Sequence, residues 1–186
     1  MEHAPSTPSA CAGSPVDNTV APADTRATAT QGSTATPRVA LVTGAGKRLG
    51  RAIALALAQD GWDIGVHCRD SVVEAEQTVE EIRALGRRAV LLQADLDDAA
   101  QCQTLVPRLA DSLGPVSGLV NSASRFEYDD IRSFTPESLQ QHLVPNLMAP
   151  LLLTQSLASQ LPAAPVQGVI VNLLDQKLFN LNPDFL

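Results

Sequence analysis

The sequence predicts an α/β fold built on a doubly wound parallel sheet. Three observations carry that reading. From Arg38 onward, short stretches rich in Val, Ile and Leu alternate with longer helical segments. Each helical segment closes on Gly or Pro before the next apolar stretch begins. A glycine-rich turn, Thr43-Gly44-Ala45-Gly46-Lys47-Arg48-Leu49-Gly50, joins the first apolar stretch to the first helix. Strands joined by helices of this length need right-handed crossovers, which make neighbouring strands parallel.

Residues 39–43 are apolar almost throughout and read as a strand buried on both faces. Residues 49–59 form an Ala- and Leu-rich helix ending near Gly61. A second strand covers 62–67. A helix over 72–85 carries acidic residues on its outer face and stops at Gly86. The third strand is 89–93. Residues 97–113 read as a helix stopped at Gly114-Pro115, and 117–121 as a short fourth strand. Residues 136–161 read as one long helix, opened by Thr135 and closed at Pro162, with Pro145 and Pro150 placed to bend it. A fifth strand is expected over 166–174.

The 186 residues suffice for one domain with a sizeable core. Residues 1–37 stand apart. They are mostly Ala, Thr, Ser and Pro, and their charged side chains are Glu2, Asp17, Asp24 and Arg26. Without a periodic apolar face this segment cannot offset its ordering entropy, so a disordered leader is expected, with the folded domain over 38–186. It lacks the basic start and continuous apolar core of a secretory signal. A net charge of −7 argues against a nucleic-acid partner. No apolar run approaches the roughly 18 residues of a membrane helix. Cys11, Cys68 and Cys102 share no metal-ligand spacing, which points to free thiols in a reducing cytoplasm.

The chemistry starts at the glycine turn. A strand that enters a Gly turn and then a helix brings the free N–H groups of the helix N-terminus beside the strand end, a site suited to a pyrophosphate. Gly44 permits the sharp turn, Gly50 lets the helix start pack closely, and Lys47 and Arg48 add positive charge. A glycine turn alone is a weak signal. Its place in a βαβ unit of about 30 residues makes it a dinucleotide-binding, Rossmann-type corner.

The spacing resembles the TGxxxGxG fingerprint of the short-chain dehydrogenase/reductase family. Arg48 stands in place of the middle glycine, and TGAGKRLG is similar to the variant found in pteridine reductases. The resemblance implies that Arg48 reaches both pyrophosphate and substrate, a task that suits planar, bidentate donors. It places Gly44, Lys47, Arg48, Leu49 and Gly50 around the coenzyme. After the second strand, His67-Cys68-Arg69-Asp70-Ser71 resembles the readers of NADPH, so His67, Arg69 and Ser71 are expected near a 2′-phosphate, and NAD is disfavoured. Asp95-Leu96 matches the family's adenine contact. Asn121, Ala123 and Ser124 match its segment facing the coenzyme, with Ser122 in place of a second Asn. Phe126 matches an aromatic that stacks on the substrate ring, Asn146 the asparagine behind a proton-relay water, and Asp175 the acid that replaces a catalytic serine in pteridine reductases. Read without the resemblance, Arg69 is a solvated loop charge, Asp95 a helix cap, Phe126 a core side chain, Asn146 a structural hydrogen bonder and Asp175 a loop carboxylate.

The family's tyrosine acid lies in a YxxxK motif beyond Asp175, and counting onward overshoots Leu186. Tyr128, four residues before Arg132, mimics the spacing but sits before the long helix, in the wrong topological place. The resemblance therefore implies a fragment with five strands, lacking the catalytic helix, the last two strands and the substrate lid. Leu147, Leu151, Leu152 and Leu157 are then expected to be partly uncovered, on a helix that serves as a subunit interface in a full-length homodimer or homotetramer. The implied reaction is NADPH-dependent hydride transfer to a C=N or C=O bond of a small pterin-like or carbonyl substrate. The alternatives are a reductase of 3-oxoacyl thioesters or sugars, and a non-catalytic NADP-binding remnant.

Overall fold

The computed structural model describes residues 38–128, 130–161 and 167–175. The expected leader over 1–37 and the end of the chain from 176 lie outside the described residues. Among the described residues there are five strands: β1 Val39–Val42, β2 Asp63–Cys68, β3 Ala89–Gln93, β4 Val116–Asn121 and β5 Val169–Asn172. Their order is β3-β2-β1-β4-β5 and every neighbouring pair is parallel. From β1 at the centre, the described chain winds out to β3, crosses back to β4 and continues to β5. The predicted doubly wound Rossmann-like sheet is therefore present.

Alternation along β1 builds two apolar layers. Val39 and Leu41 join Leu105 and Leu109 of α3 (Ala99–Leu113) and Leu153 and Leu157 of α5 (Ala149–Gln160). Ala40 and Val42 join Ala54 and Ala58 of α1 (Arg48–Gln59) and Val79 and Ile82 of α2 (Val72–Ala84). Helices cover both faces of the sheet, so its central strands are apolar on both sides. α3 begins two residues later than predicted because Asp98, not Asp95, is its cap. The Asp98 carboxylate accepts from the N–H groups of Ala100 and Gln101. Pro107 sits on the exposed side of α3, while Leu105, Val106 and Leu109 are buried and hold the helix together across the missing N–H.

The long helix predicted over 136–161 is interrupted. α4 covers Pro136–Leu143, a π-helical turn covers Val144–Met148, and α5 follows. Thr135 opens α4 through a reciprocal capping box with Ser138. At the far end of the wide turn the Ala149 N–H reaches the Val144 carbonyl, five residues back. Pro150 has no N–H for the carbonyl of Asn146, which favours the wider winding. Leu147 and Leu151 are 53% and 60% exposed, as expected. Leu152 is half-buried, and Leu157 is wholly buried against α3, which corrects the expectation for it. β5 is shorter than predicted and exposed along its length.

The opposite end of the sheet is tied by a buried carboxylate. Asp63 accepts from the Arg88 backbone N–H (3.0 Å) and Arg88 Nε (2.8 Å), and pairs with Arg87 (2.8 Å). Burial alone would raise its pKa. The Arg88 hydrogen bonds and the two guanidinium charges outweigh that and hold it below the usual range. Cys68 and Cys102 are free and buried, and burial pushes the Cys102 thiol up to about 11, so neither is a reactive thiolate.

Candidate functional site

The sequence-predicted residues gather at one edge of the sheet. The turn after β1, residues 69–71 after β2, 94–97 after β3, 122–128 after β4 and 173–175 after β5 all leave the C-terminal ends of parallel strands. Strand order reverses between β1 and β4, and in open α/β sheets that reversal opens the ligand crevice.

The glycine turn sits at this reversal. Gly44 has φ +65°, a backbone that disfavours side chains, and a Cβ added there would lie 3.0 Å from the Cα of Ala123. A Cβ on Gly50 would lie 2.3 Å from the Gly44 carbonyl oxygen. The start of α1 is thus pressed onto the turn, as predicted. Lys47, Arg48 and Leu49 are exposed at the rim, Leu49 by 59%, and Lys47 pairs with Glu74 at 2.7 Å. Arg48 has φ +47°. It occupies a left-handed position suited to the glycine whose place it takes, at a cost of roughly 1–2 kcal/mol. Arg48→Gly should therefore raise the unfolding free energy by up to about 1 kcal/mol, once glycine's greater unfolded freedom is counted. The same change should weaken coenzyme binding about tenfold through loss of the guanidinium. Denaturant unfolding and calorimetric titration of the same variant read these two opposite signs.

Thr43 joins the turn to β4. Its Oγ1 accepts from the N–H groups of Ser122 and Ala123, both at 3.0 Å. Asn121 is buried, and its Nδ2 donates to Asn172 Oδ1 at 2.7 Å across β4 and β5. Its own Oδ1 is buried with no hydrogen-bond partner among the described residues. Ala123 packs on Gly44, and Ser124 is exposed.

His67 is a correction. The resemblance put its imidazole at the tip of β2, facing a 2′-phosphate. The ring is instead 2% exposed, with Nδ1 accepting from Gly44 N–H at 3.2 Å and Nε2 paired with the Ala94 carbonyl at 3.1 Å. Burial pushes its pKa down to about 4, so the ring is neutral at physiological pH. Arg69 does stand at the tip. Its Nε donates to Asp70 at 2.7 Å, and the Asp97 carboxylate lies 4.0 Å away. A phosphate at Arg69 has to compete with Asp70. Ser71 is half-buried, and its Oγ lies 2.9 Å from the position of a Cβ on Gly46. Asp95 shapes the exit of β3, accepting from Asp97 N–H at 3.0 Å, while Leu96 packs almost wholly into the core.

The segment after β4 is held by the region around the π-helical turn. Asn146 Oδ1 accepts from Arg125 N–H and its Nδ2 donates to the Arg125 carbonyl, both at 2.8 Å. One helical turn earlier, His142 Nε2 accepts from Glu127 N–H at 3.0 Å. His142 escaped the sequence reading, although its i, i+4 spacing to Asn146 was a usable signal. Arg125 also pairs with Asp97 at 2.8 Å, linking this segment to the exit of β3. Phe126 is 68% exposed, so the core reading of that residue does not hold. Tyr128 is exposed on the same segment, and Asp175 is exposed beyond β5.

A family profile described as short chain dehydrogenase matches residues 38–176. The chain belongs to the short-chain dehydrogenase/reductase family. Among curated members it is 36% identical over 136 residues to an uncharacterized oxidoreductase of Methylorubrum extorquens, covering 73% of this chain and 54% of that protein. It is 32% identical over 143 residues to 2-dehydro-3-deoxy-D-gluconate 5-dehydrogenase of Dickeya dadantii, covering 76% and 55%. The chain thus spans about half the length of these curated relatives. Among solved structures it superposes on FolM alternative dihydrofolate reductase 1 from Brucella suis, in complex with NADP, with TM-score 0.74 and 34% identity over 80% of this chain and 61% of that one. A Burkholderia cenocepacia short chain dehydrogenase in complex with NADP gives TM-score 0.74 and 32% identity, over 80% and 59%. Among the described residues, no helix is long and apolar enough to cross a membrane.

Proposed function

We propose that the chain binds NADP(H) and forms the coenzyme-binding part of a pteridine-reductase-like short-chain oxidoreductase. One observation carries the reading. The start of α1 is pressed so closely onto the Gly44 turn that only glycine fits at position 50. Such a cradle lets a pyrophosphate approach the backbone and the helix N-terminus. The buried Oδ1 of Asn121, which has no partner among the described residues, and the exposed Leu49 fit the same ligand, as do the NADP-bound solved relatives.

When bound, the coenzyme supplies a hydride to a C=N or C=O bond. Arg48 and Phe126 hold the substrate, Asn146 positions the segment that carries Phe126, and Asp175 handles a proton beside the reacting bond. Arg48 in place of the middle glycine and Asp175 in place of serine favour a pterin-like ring. A carbonyl substrate such as a 3-oxoacyl thioester is the second reading. It is favoured by a Staphylococcus aureus 3-oxoacyl-[acyl-carrier-protein] reductase that is 39% identical over 84 residues. The full-length protein is read as a homodimer or homotetramer.

Calorimetric titration of the chain with NADPH and NADH tests the coenzyme. The expected result is micromolar NADPH binding, with NADH at least about tenfold weaker. Heat from neither coenzyme overturns the reading. Comparing pterin and acetoacetyl-thioester turnover by the full-length protein decides the substrate.

A further inference from the structure

We propose that His67 is a positioning residue of the coenzyme site, fixing the glycine turn and the exit of β3 in one frame and taking no part in reading the 2′-phosphate. The proposal rests on the coenzyme reading above. His67 is the next-to-last residue of β2, which lies between β1 and β3 in the sheet. Its main-chain carbonyl accepts from Ala45 N–H at 2.9 Å, and its Nδ1 accepts from Gly44 N–H at 3.2 Å. Two successive amides of the turn are therefore held by one residue. On the other side of the ring, Nε2–H donates to the Ala94 carbonyl at 3.1 Å.

Only the neutral tautomer with its proton on Nε2 makes both bonds. Burial favours the neutral ring, with Asp95 and Arg108 as the charged groups acting on it in opposite directions. Gly44 begins the turn that faces the pyrophosphate. Ala94 directly precedes Asp95-Leu96, where the adenine is expected. One side chain thus bridges two subsites of one ligand, beside the main-chain bond from Ala94 N–H to the Cys68 carbonyl at 3.1 Å. A direct reader of the 2′-phosphate would have to offer a free N–H to the crevice. Both ring nitrogens are already engaged inside the protein.

The geometry makes a quantitative demand. The pyrophosphate and adenine are common to NADP+ and NAD+, so disturbing their frame must weaken both coenzymes alike. An aliphatic side chain at 67 strands the Gly44 N–H and the Ala94 carbonyl, whereas a glutamine amide carries one acceptor and one donor on neighbouring atoms and can serve both.

The test is calorimetric titration of the full chain with NADP+ and NAD+, for wild type, His67→Leu and His67→Gln, together with amide hydrogen exchange at Gly44. The expected result is an equal loss for both coenzymes in His67→Leu, about tenfold, with most of it recovered in His67→Gln. The Gly44 amide should be protected in wild type and exchange at least about tenfold faster in His67→Leu. A selective loss of NADP+ binding with NAD+ unchanged overturns the proposal and makes His67 a phosphate reader. Unchanged affinities in His67→Leu overturn it too. If His67→Leu does not fold, a rapidly exchanging Gly44 amide in wild type still overturns it, as does His67→Gln binding NADP+ selectively worse. A wild type that binds neither coenzyme brings down the coenzyme reading itself, a result distinct from a binding-competent wild type with indifferent variants.

Discussion

Gly50→Ala is expected to abolish measurable NADP(H) binding and to lower the unfolding free energy by about 2 kcal/mol, within the range for inserting an atom where none fits. The new Cβ would stand 2.3 Å from the Gly44 oxygen, 2.8 Å from the Gly44 carbonyl carbon and 3.1 Å from Ser122 Oγ. Two of these neighbours are backbone. Gly44 cannot retreat, because its N–H is bonded to His67 and its Cα side packs on Ala123. α1 cannot rise freely either, because Ala54 and Ala58 on its inner face are buried in the layer beneath. One side of the cradle must therefore give, and the pyrophosphate contacts go with it. Gly86→Ala is the control. Gly86 has φ +78° with nothing within 4 Å of the added methyl, at the far end of α2. It should lose about 1 kcal/mol from backbone strain alone and leave binding intact. Calorimetry and denaturant unfolding of both variants check the pair. A Gly50→Ala protein that binds NADPH as wild type does would refute the close packing.

Acid should destabilise the fold in two stages. The folded His67 pKa of about 4 lies below the unfolded value near 6.5, so between those values the unfolded chain binds the extra proton. Stability from this group is fully present above pH 6.5 and drains away as the pH falls toward 4, by up to about 3 kcal/mol. Asp63, also depressed in the folded state, then adds its own loss as the pH falls below its unfolded value of 3.8. Urea unfolding at pH 7.5, 6, 5 and 4 measures the first stage. His67→Gln has no titrating ring at that position, so its profile should be flatter over pH 6.5 to 4. A wild-type profile as flat as that of His67→Gln would mean that the ring is not held neutral.

The sheet was legible because apolar runs bounded by Gly and Pro leave few alternatives, and helical crossovers of this length make neighbouring strands parallel. The glycine turn was legible for the same reason: Gly44 and Gly50 serve needs that no other residue type meets. His67 was misplaced because sequence gives its position on the strand but not its depth, and at a strand end one residue decides between the rim and the interior. Asp95 was weighed as a cap because any carboxylate ahead of a helix qualifies, and hydrogen-bond geometry chose Asp98. The single long helix failed at Pro145 and Pro150. A proline marks where winding is disturbed without saying whether the coil kinks, ends or widens. Leu157 was expected to be partly uncovered as part of a subunit interface, whereas its face packs into the core beside α3.

That widened turn has a bearing on how this region tolerates change. In an uninterrupted coil, positions seven apart fall almost in line, so Asn146 and Leu153 would look the same way. The extra residue in one revolution shifts the phase between them. Asn146 looks toward the crevice while Leu153 and Leu157 look into the sheet. Selection can then alter the leucines for packing without re-aiming the asparagine, whereas rewinding 144–148 as an ordinary α-helix with every residue kept would bring Asn146 and Leu153 into line and force the chain to choose between them.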